Sequence, residues 1–191
     1  MLNKRLALIT FLLTFHWLLL ACGSMTIKDE ATQSYIPVQG WVLELRRNVT
    51  IPPGRTRVFF QEGRLLYGVN EYKPHCHISV REIKEQAQTV YAGRFAIEKV
   101  HGRVGEVVMN NLIRLAVVGS ADIMADGGNG NGEGMMIYSY FMKLHSDDQP
   151  QVTYLACGGV ADYPALADYP TLQEIYTSIG DYAVLEPPVE G

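Results

Sequence analysis

From Trp41 onward the chain alternates apolar and polar positions with a period of two. Trp41, Leu43 and Leu45 fall on one face, Glu44 and Arg46 on the other, as in a half-buried strand. Pro52-Pro53-Gly54 breaks the pattern, with Pro53 and Gly54 suited to the two central positions of a turn. A second strand is expected from about Thr56 to Gln61, rich in Val58, Phe59 and Phe60. Glu62-Gly63-Arg64 then reads as a tight hairpin into Leu65-Leu66-Tyr67. Further strands are expected near 75–82, 94–100, 106–118, 135–144 and 151–157. In Met135 to Leu144 one face carries Met136, Tyr138, Tyr140 and Met142, and the other Ile137 and Phe141. Apolar residues on both faces predict a central strand covered on both sides.

One segment changes period. Thr171-Leu172-Gln173-Glu174 fits a capping box, Leu172, Ile175, Tyr176 and Ile179 make one apolar face, and Gly180 can end the helix. Tyr182 to Leu185 could return as a last short strand. Just before the helix, Ala-Asp-Tyr-Pro occurs at 161–164 and again at 167–170. It reads as a surface connection with both Tyr rings packed on the domain. Many short strands with Gly/Pro turns predict a mainly β fold, an antiparallel β-sandwich or partly closed barrel with one short C-terminal helix at about 171–180.

The N-terminus follows neither period. Asn3, Lys4 and Arg5 make a short positive region, and Leu6 to Leu20 carry no charge. That run of about 15 residues is short for a membrane span, which takes roughly 20, and it fits the apolar part of an export signal. It ends Leu19-Leu20-Ala21-Cys22. A small residue followed directly by Cys resembles the lipobox of bacterial lipoproteins. The resemblance implies a signal peptide over 1–21, cleavage before Cys22, a diacylglycerol on the Cys22 thiol and acylation of the new amine. Two or three acyl chains hold stably, at about 0.8 kcal/mol per buried CH₂. Gly23 is not the Asp that retains such proteins in the inner membrane. The resemblance therefore implies the outer membrane of a Gram-negative envelope, facing the periplasm. Residues 22–39 are polar and without period, and are expected to be a tether. Residues 40–191 are expected to form one globular domain.

Composition narrows the function classes. Hydrophobic residues at 48% and charged residues at 19% suit a folded core. Without Lys4 and Arg5 the net charge of −4 becomes −6, which offers no basic footprint for nucleic acid and no polybasic patch for anionic lipid. With Cys22 lipidated, Cys76 and Cys157 remain. Cys76 shares a strand face with Ile78 and Val80, and Cys157 with Leu155, so both sulfurs should point inward. In an oxidising compartment they are expected to pair.

The candidate chemistry is sparse. His75 and His77, spaced i, i+2 on a strand, project from one face and could share a metal ion, with His101, His145 or a carboxylate as third ligand. Exposed polar residues flanking a core Cys give the same pattern. Residues 126–134 interleave Asp126, Asn129, Asn131 and Glu133 with Gly. This is similar to a calcium loop, although Gly127 stands where an EF-hand needs its first Asp, and so many Gly in a short segment more often mean a mobile loop. No phosphate-cradling Gly motif and no Gly-x-Ser-x-Gly elbow is present. The 11 Tyr could line a glycan groove or simply be strand material.

Arg57-Val58-Phe59-Phe60-Gln61, Pro74-His75-Cys76 and Cys157-Gly158-Gly159 look like segments of proteobacterial envelope lipoproteins with no assigned activity. The expectation is a membrane-anchored, non-enzymatic envelope lipoprotein with a structural, assembly or binding role and no cofactor. Its partners would be the membrane, through the lipid, and an envelope protein. The alternatives are a metal-binding protein or hydrolase using His75 and His77, and a glycan-binding module.

Overall fold

The computed structural model describes residues 25–107 and 135–188. Within them, β1 (Thr26–Asp29) and β2 (Ser34–Pro37) form a hairpin. The chain continues through β3 (Val42–Leu45), β4 (Val49–Ile51), β5 (Arg57–Gln61), β6 (Arg64–Leu66), β7 (His75–Val80), β8 (Gln88–Val90) and β9 (Gly93–Val107). After the undescribed stretch come β10 (Met135–His145), β11 (Val152–Gly158), helix α1 (Leu172–Ile179), a 3₁₀ turn (Gly180–Tyr182) and β12 (Ala183–Glu186). Eight strands make one antiparallel sheet in the order β12-β3-β9-β10-β11-β7-β5-β6, and β4 pairs separately with β8. The fold is mainly β, as expected.

The turns follow from their residues. Arg55 N–H donates to the Pro52 carbonyl at 3.3 Å, and Gly54, between them, has φ 71°, the geometry of a Pro-Gly type II turn. Glu62 and Gly63 both have positive φ, 52° and 69°, which makes the β5–β6 connection a two-residue hairpin of the kind whose twist matches its strands. At α1, Thr171 Oγ1 accepts from Glu174 N–H at 3.3 Å, while the Glu174 carboxylate accepts from Thr171 N–H at 2.8 Å. The predicted capping box is complete.

The helix shapes the sheet. Leu172, Ile175 and Ile179 are buried, and α1 packs on β5 and β7 toward one edge of the sheet and on β12 at the other. In a flat sheet β12 and β5 would lie about 29 Å apart, six strand spacings, against a helix diameter of about 10 Å. The sheet therefore curls round α1 into a half-barrel. Phe60 on β5 meets Tyr182, just before β12, with ring centroids 5.6 Å apart. The core fills the concave side, with Leu43, Phe60, Ile78, Phe95, Met142 and Leu155 all essentially inaccessible.

Several expectations need correction. The described part of the 22–39 tether is structured: β1 and β2 place Ile27 opposite Ile36, and Ile27 and Val38 are fully buried. Ile27 and Val38 join the core, Met25 packs against it, and Tyr140 donates to the Thr26 carbonyl. Residues 93–107 are one strand rather than the end of one and the start of another, and the expected strand over 108–118 lies outside the described residues. Gly102 hides this continuity. A Cβ there would collide with the Tyr169 ring and the Met25 side chain, so Gly is needed for packing and does not mark a loop. Strand β10 is central. Among the described residues, however, only its Tyr140, Met142 and Leu144 face is buried, and Phe141 is half-exposed. Of the two repeated Tyr, Tyr169 packs between Tyr138 and Tyr140, but Tyr163 is exposed.

Candidate binding face

The convex side of the sheet carries a row of residues in exact register across five strands. Phe59 on β5 is opposite His77 on β7, His77 opposite Ala156 on β11, Ala156 opposite Phe141 on β10, and Phe141 opposite His101 on β9. Ala156 is the gap in the row. With only a methyl group there, His77 and Phe141 meet across it, centroids 6.3 Å apart and edge to face. Phe59 contacts His77 at 5.5 Å, and His101 stacks on Phe141 at 5.6 Å. Tyr154, two residues before Ala156 on β11, touches both Phe141 and His101 at 6.2 Å. Apart from the stacked His101–Phe141 pair these contacts are edge-to-face, an arrangement favoured because ring faces are negative and ring edges positive.

Two guanidinium groups lie on this surface. Arg103 stands 4.5 Å from the Phe141 centroid and Arg57 5.8 Å from that of Phe59, within range for cation–π attraction. Lys99 and Lys143 project from the same side, two residues from His101 and Phe141 respectively. Lys143 is held by Glu98 at 2.7 Å. Among the described residues no carboxylate pairs with Arg57, Lys99 or Arg103. The positive field reaches the imidazoles. Burial pushes His77 down to about 4, helped by Arg57 and His75. Burial also lowers His101, helped by Arg103 and Lys99. A cleft of about 430 Å³ opens at one end of this face between Arg81, Lys143, His145 and Tyr154.

The predicted metal set does not assemble among the described residues. His75 and His77 do share a face, but no group of three or more His, Cys, Asp or Glu able to hold a metal ion occurs there. His75 Nδ1 lies 3.0 Å from the Lys73 carbonyl. His101 stands beyond Phe141, and His145 sits beside Asp147 and Glu98 at 3.3 and 3.8 Å. Cys76 and Cys157 are directly opposed on β7 and β11, fully buried and at disulfide distance, with Cα atoms 4.0 Å apart. They point into the core, away from both His. Exposed Tyr35, Tyr67, Tyr72, Tyr91 and Tyr163 are distributed over separate loops and strands. A smaller cleft of about 350 Å³ lies between Tyr35, Tyr140, Tyr169 and Lys28. There Tyr140 donates to the Thr26 carbonyl at 3.0 Å and, chiefly through burial, is pushed up to about 12. Cys22 and the 126–134 loop lie outside the described residues.

Sequence reading named His77 and His101 only as metal candidates and took Phe141 for core. The signal that marks the face is a strand apolar on both sides whose second side alternates with Lys or Arg. Phe141 is followed by Lys143, and Phe59 is preceded by Arg57.

No protein-family model matches the chain, and no curated protein and no solved structure matches it significantly.

Proposed function

We propose that the chain is an envelope lipoprotein, anchored through lipid on Cys22 to the outer membrane and facing the periplasm, whose domain acts by binding a protein partner rather than by catalysis. The anchor rests on Leu19-Leu20-Ala21-Cys22 after an uncharged run. The described residues contain no helix long and apolar enough to cross a membrane. The observation that carries the binding role is the half-buried row Phe59, His77, Phe141 and His101 on the convex side of the sheet. Aromatic and Arg side chains grouped on one surface are the composition of interface centres. A convex surface of mutually packed rings suits a macromolecule better than a small substrate, which needs a concave site.

The test has two parts. Intact mass of the protein purified from its membrane should show loss of residues 1–21 and gain of acyl chains. Photo-crosslinking residues placed at Ser139 and Lys99 on the face should capture one defined protein in cells, and the same residue at exposed Tyr91 should not. Equal capture at all three positions, or none at the face, would end the binding reading.

A further inference from the structure

The charges on the convex face point to the chemistry of its occupant, an inference that rests on the partner-binding reading above. We infer that this face docks an acidic, extended segment of the partner protein, with Arg57 and Arg103 taking its carboxylates. The ring faces of Phe59 and Phe141 are already approached by guanidinium groups, and His101 stacks on Phe141 at an interplanar angle of 22°. A sugar would need a bare ring face; here what is offered outward is the guanidinium fork. An Arg resting on a ring is desolvated on one side and pre-oriented, which favours two-point binding of a carboxylate. The protein as a whole is acidic, with net charge −4, so Arg57, Lys99 and Arg103, which pair with no carboxylate among the described residues, are set against the prevailing charge of the chain. That contrast is the electrostatic complementarity by which one surface selects an anionic partner.

The spacing fits an extended peptide. Lys99 and Arg103 are four residues apart on β9, about 13 Å along a strand. Arg57 and Lys143, the latter already bonded to Glu98, are three strands apart, about 14 Å. An extended chain with acids at every second position presents carboxylates on one side about 7 Å apart, so alternate acids reach cations at either spacing. The residues between the acids point to the other side of an extended chain, so its carboxylate-bearing side alone faces Phe141, Tyr154 and His77. The two lowered imidazoles stay neutral near pH 7, so the attraction comes from Arg and Lys.

Fluorescence anisotropy with the full-length processed protein in detergent tests this. The probe is a labelled peptide of alternating Glu and Leu, and its control carries Gln for Glu. The acidic peptide should bind, the control should not, and affinity should fall with added salt. Arg57→Gln with Arg103→Gln should weaken binding by about tenfold or more while lowering the melting temperature by only a few degrees, the scale of two exposed cation–π contacts. Equal binding of the two peptides, or no effect of the double substitution, would overturn the inference. So would tighter, equally Arg-dependent binding to phosphatidylglycerol vesicles, which would assign the face to an anionic surface instead. In cells, face-specific crosslinks that persist in the double variant would overturn the acidic segment while leaving the partner-binding reading intact. Absence of any face-specific crosslink in the wild type would remove both.

Discussion

Gly180, at the end of α1, lies so close to Gly63, in the β5–β6 turn, that a Cβ built on Gly180 would stand 2.5 Å from the Gly63 Cα. Gly63 N–H also donates to the Ser178 carbonyl at 3.1 Å. This is where the far edge of the sheet meets the helix and the half-barrel is drawn together. Gly180 has φ 53° and ψ −138°, a region almost confined to glycine, where a side chain costs of order 1–3 kcal/mol. Gly180→Ala adds a collision with backbone to that cost. It should destabilise the domain clearly more than Gly54→Ala, where φ is 71° but nothing lies within 4 Å of an added Cβ. Urea unfolding of the two variants decides it, and equal losses would mean the contact is not tight in solution.

Cys76 and Cys157 link strands that are far apart in sequence, 81 positions, though adjacent in the sheet. Closing a loop of that length contributes about 4–5 kcal/mol on the chain-entropy view, and native disulfides in exported domains typically contribute about 2–5. Reductant should therefore lower the unfolding midpoint of the wild type. Cys76→Ala with Cys157→Ala should begin at the lower value and not respond to reductant. A wild-type midpoint indifferent to reductant, with both thiols protected from alkylation until unfolding, would show that burial alone shields the pair.

Much of this was legible in the residues and some was not, for identifiable reasons. Period two found the strands with a buried face, and the Thr171 and Glu174 pair located α1 because capping chemistry is local. The β1–β2 hairpin escaped because its docking depends on Ile27 and Val38 entering a core built by residues distant in sequence, which no local pattern announces. The convex face was missed for a different reason. Phe141 and Ile137 are apolar in the sequence whether the second side of β10 is covered or open, and only tertiary packing decides which. Arg57 and Arg103 reach one surface through strand pairing, which sequence spacing does not encode.

His77 makes stability depend on pH in a set direction. The unfolded ring takes up a proton below about 6.5, while burial beside Arg57 and His75 keeps the folded ring neutral down to about 4. Its contribution is complete above about pH 6.5 and is lost progressively toward pH 4, because there the unfolded state binds the proton and the folded state does not. His77→Gln cannot ionise, so it should lose less stability than the wild type across that window, with all carboxylates common to both. Parallel stability profiles would put the ring in a more open setting. A ¹H–¹⁵N titration of the imidazole gives the folded value directly.

Phe141 and Phe60 should separate the two sides of the sheet. Phe60 is 1% exposed in the core, and Phe60→Ala should cost about 3–5 kcal/mol, the usual range for a fully buried aromatic. Phe141 is half-exposed, held by His101, His77, Tyr154 and Arg103. Its removal vacates no enclosed volume, because solvent or neighbouring rings can fill the space, so the cost should be well below that of Phe60→Ala. Arg103 would at the same time lose the ring that orients its guanidinium, so Phe141→Ala should weaken capture at the face out of proportion to its effect on folding. Thermal unfolding and face-specific crosslinking of the two variants provide the comparison. If Phe141→Ala proves as destabilising as Phe60→Ala, the convex row belongs to a second core covered by another part of the chain, and it is not a binding face.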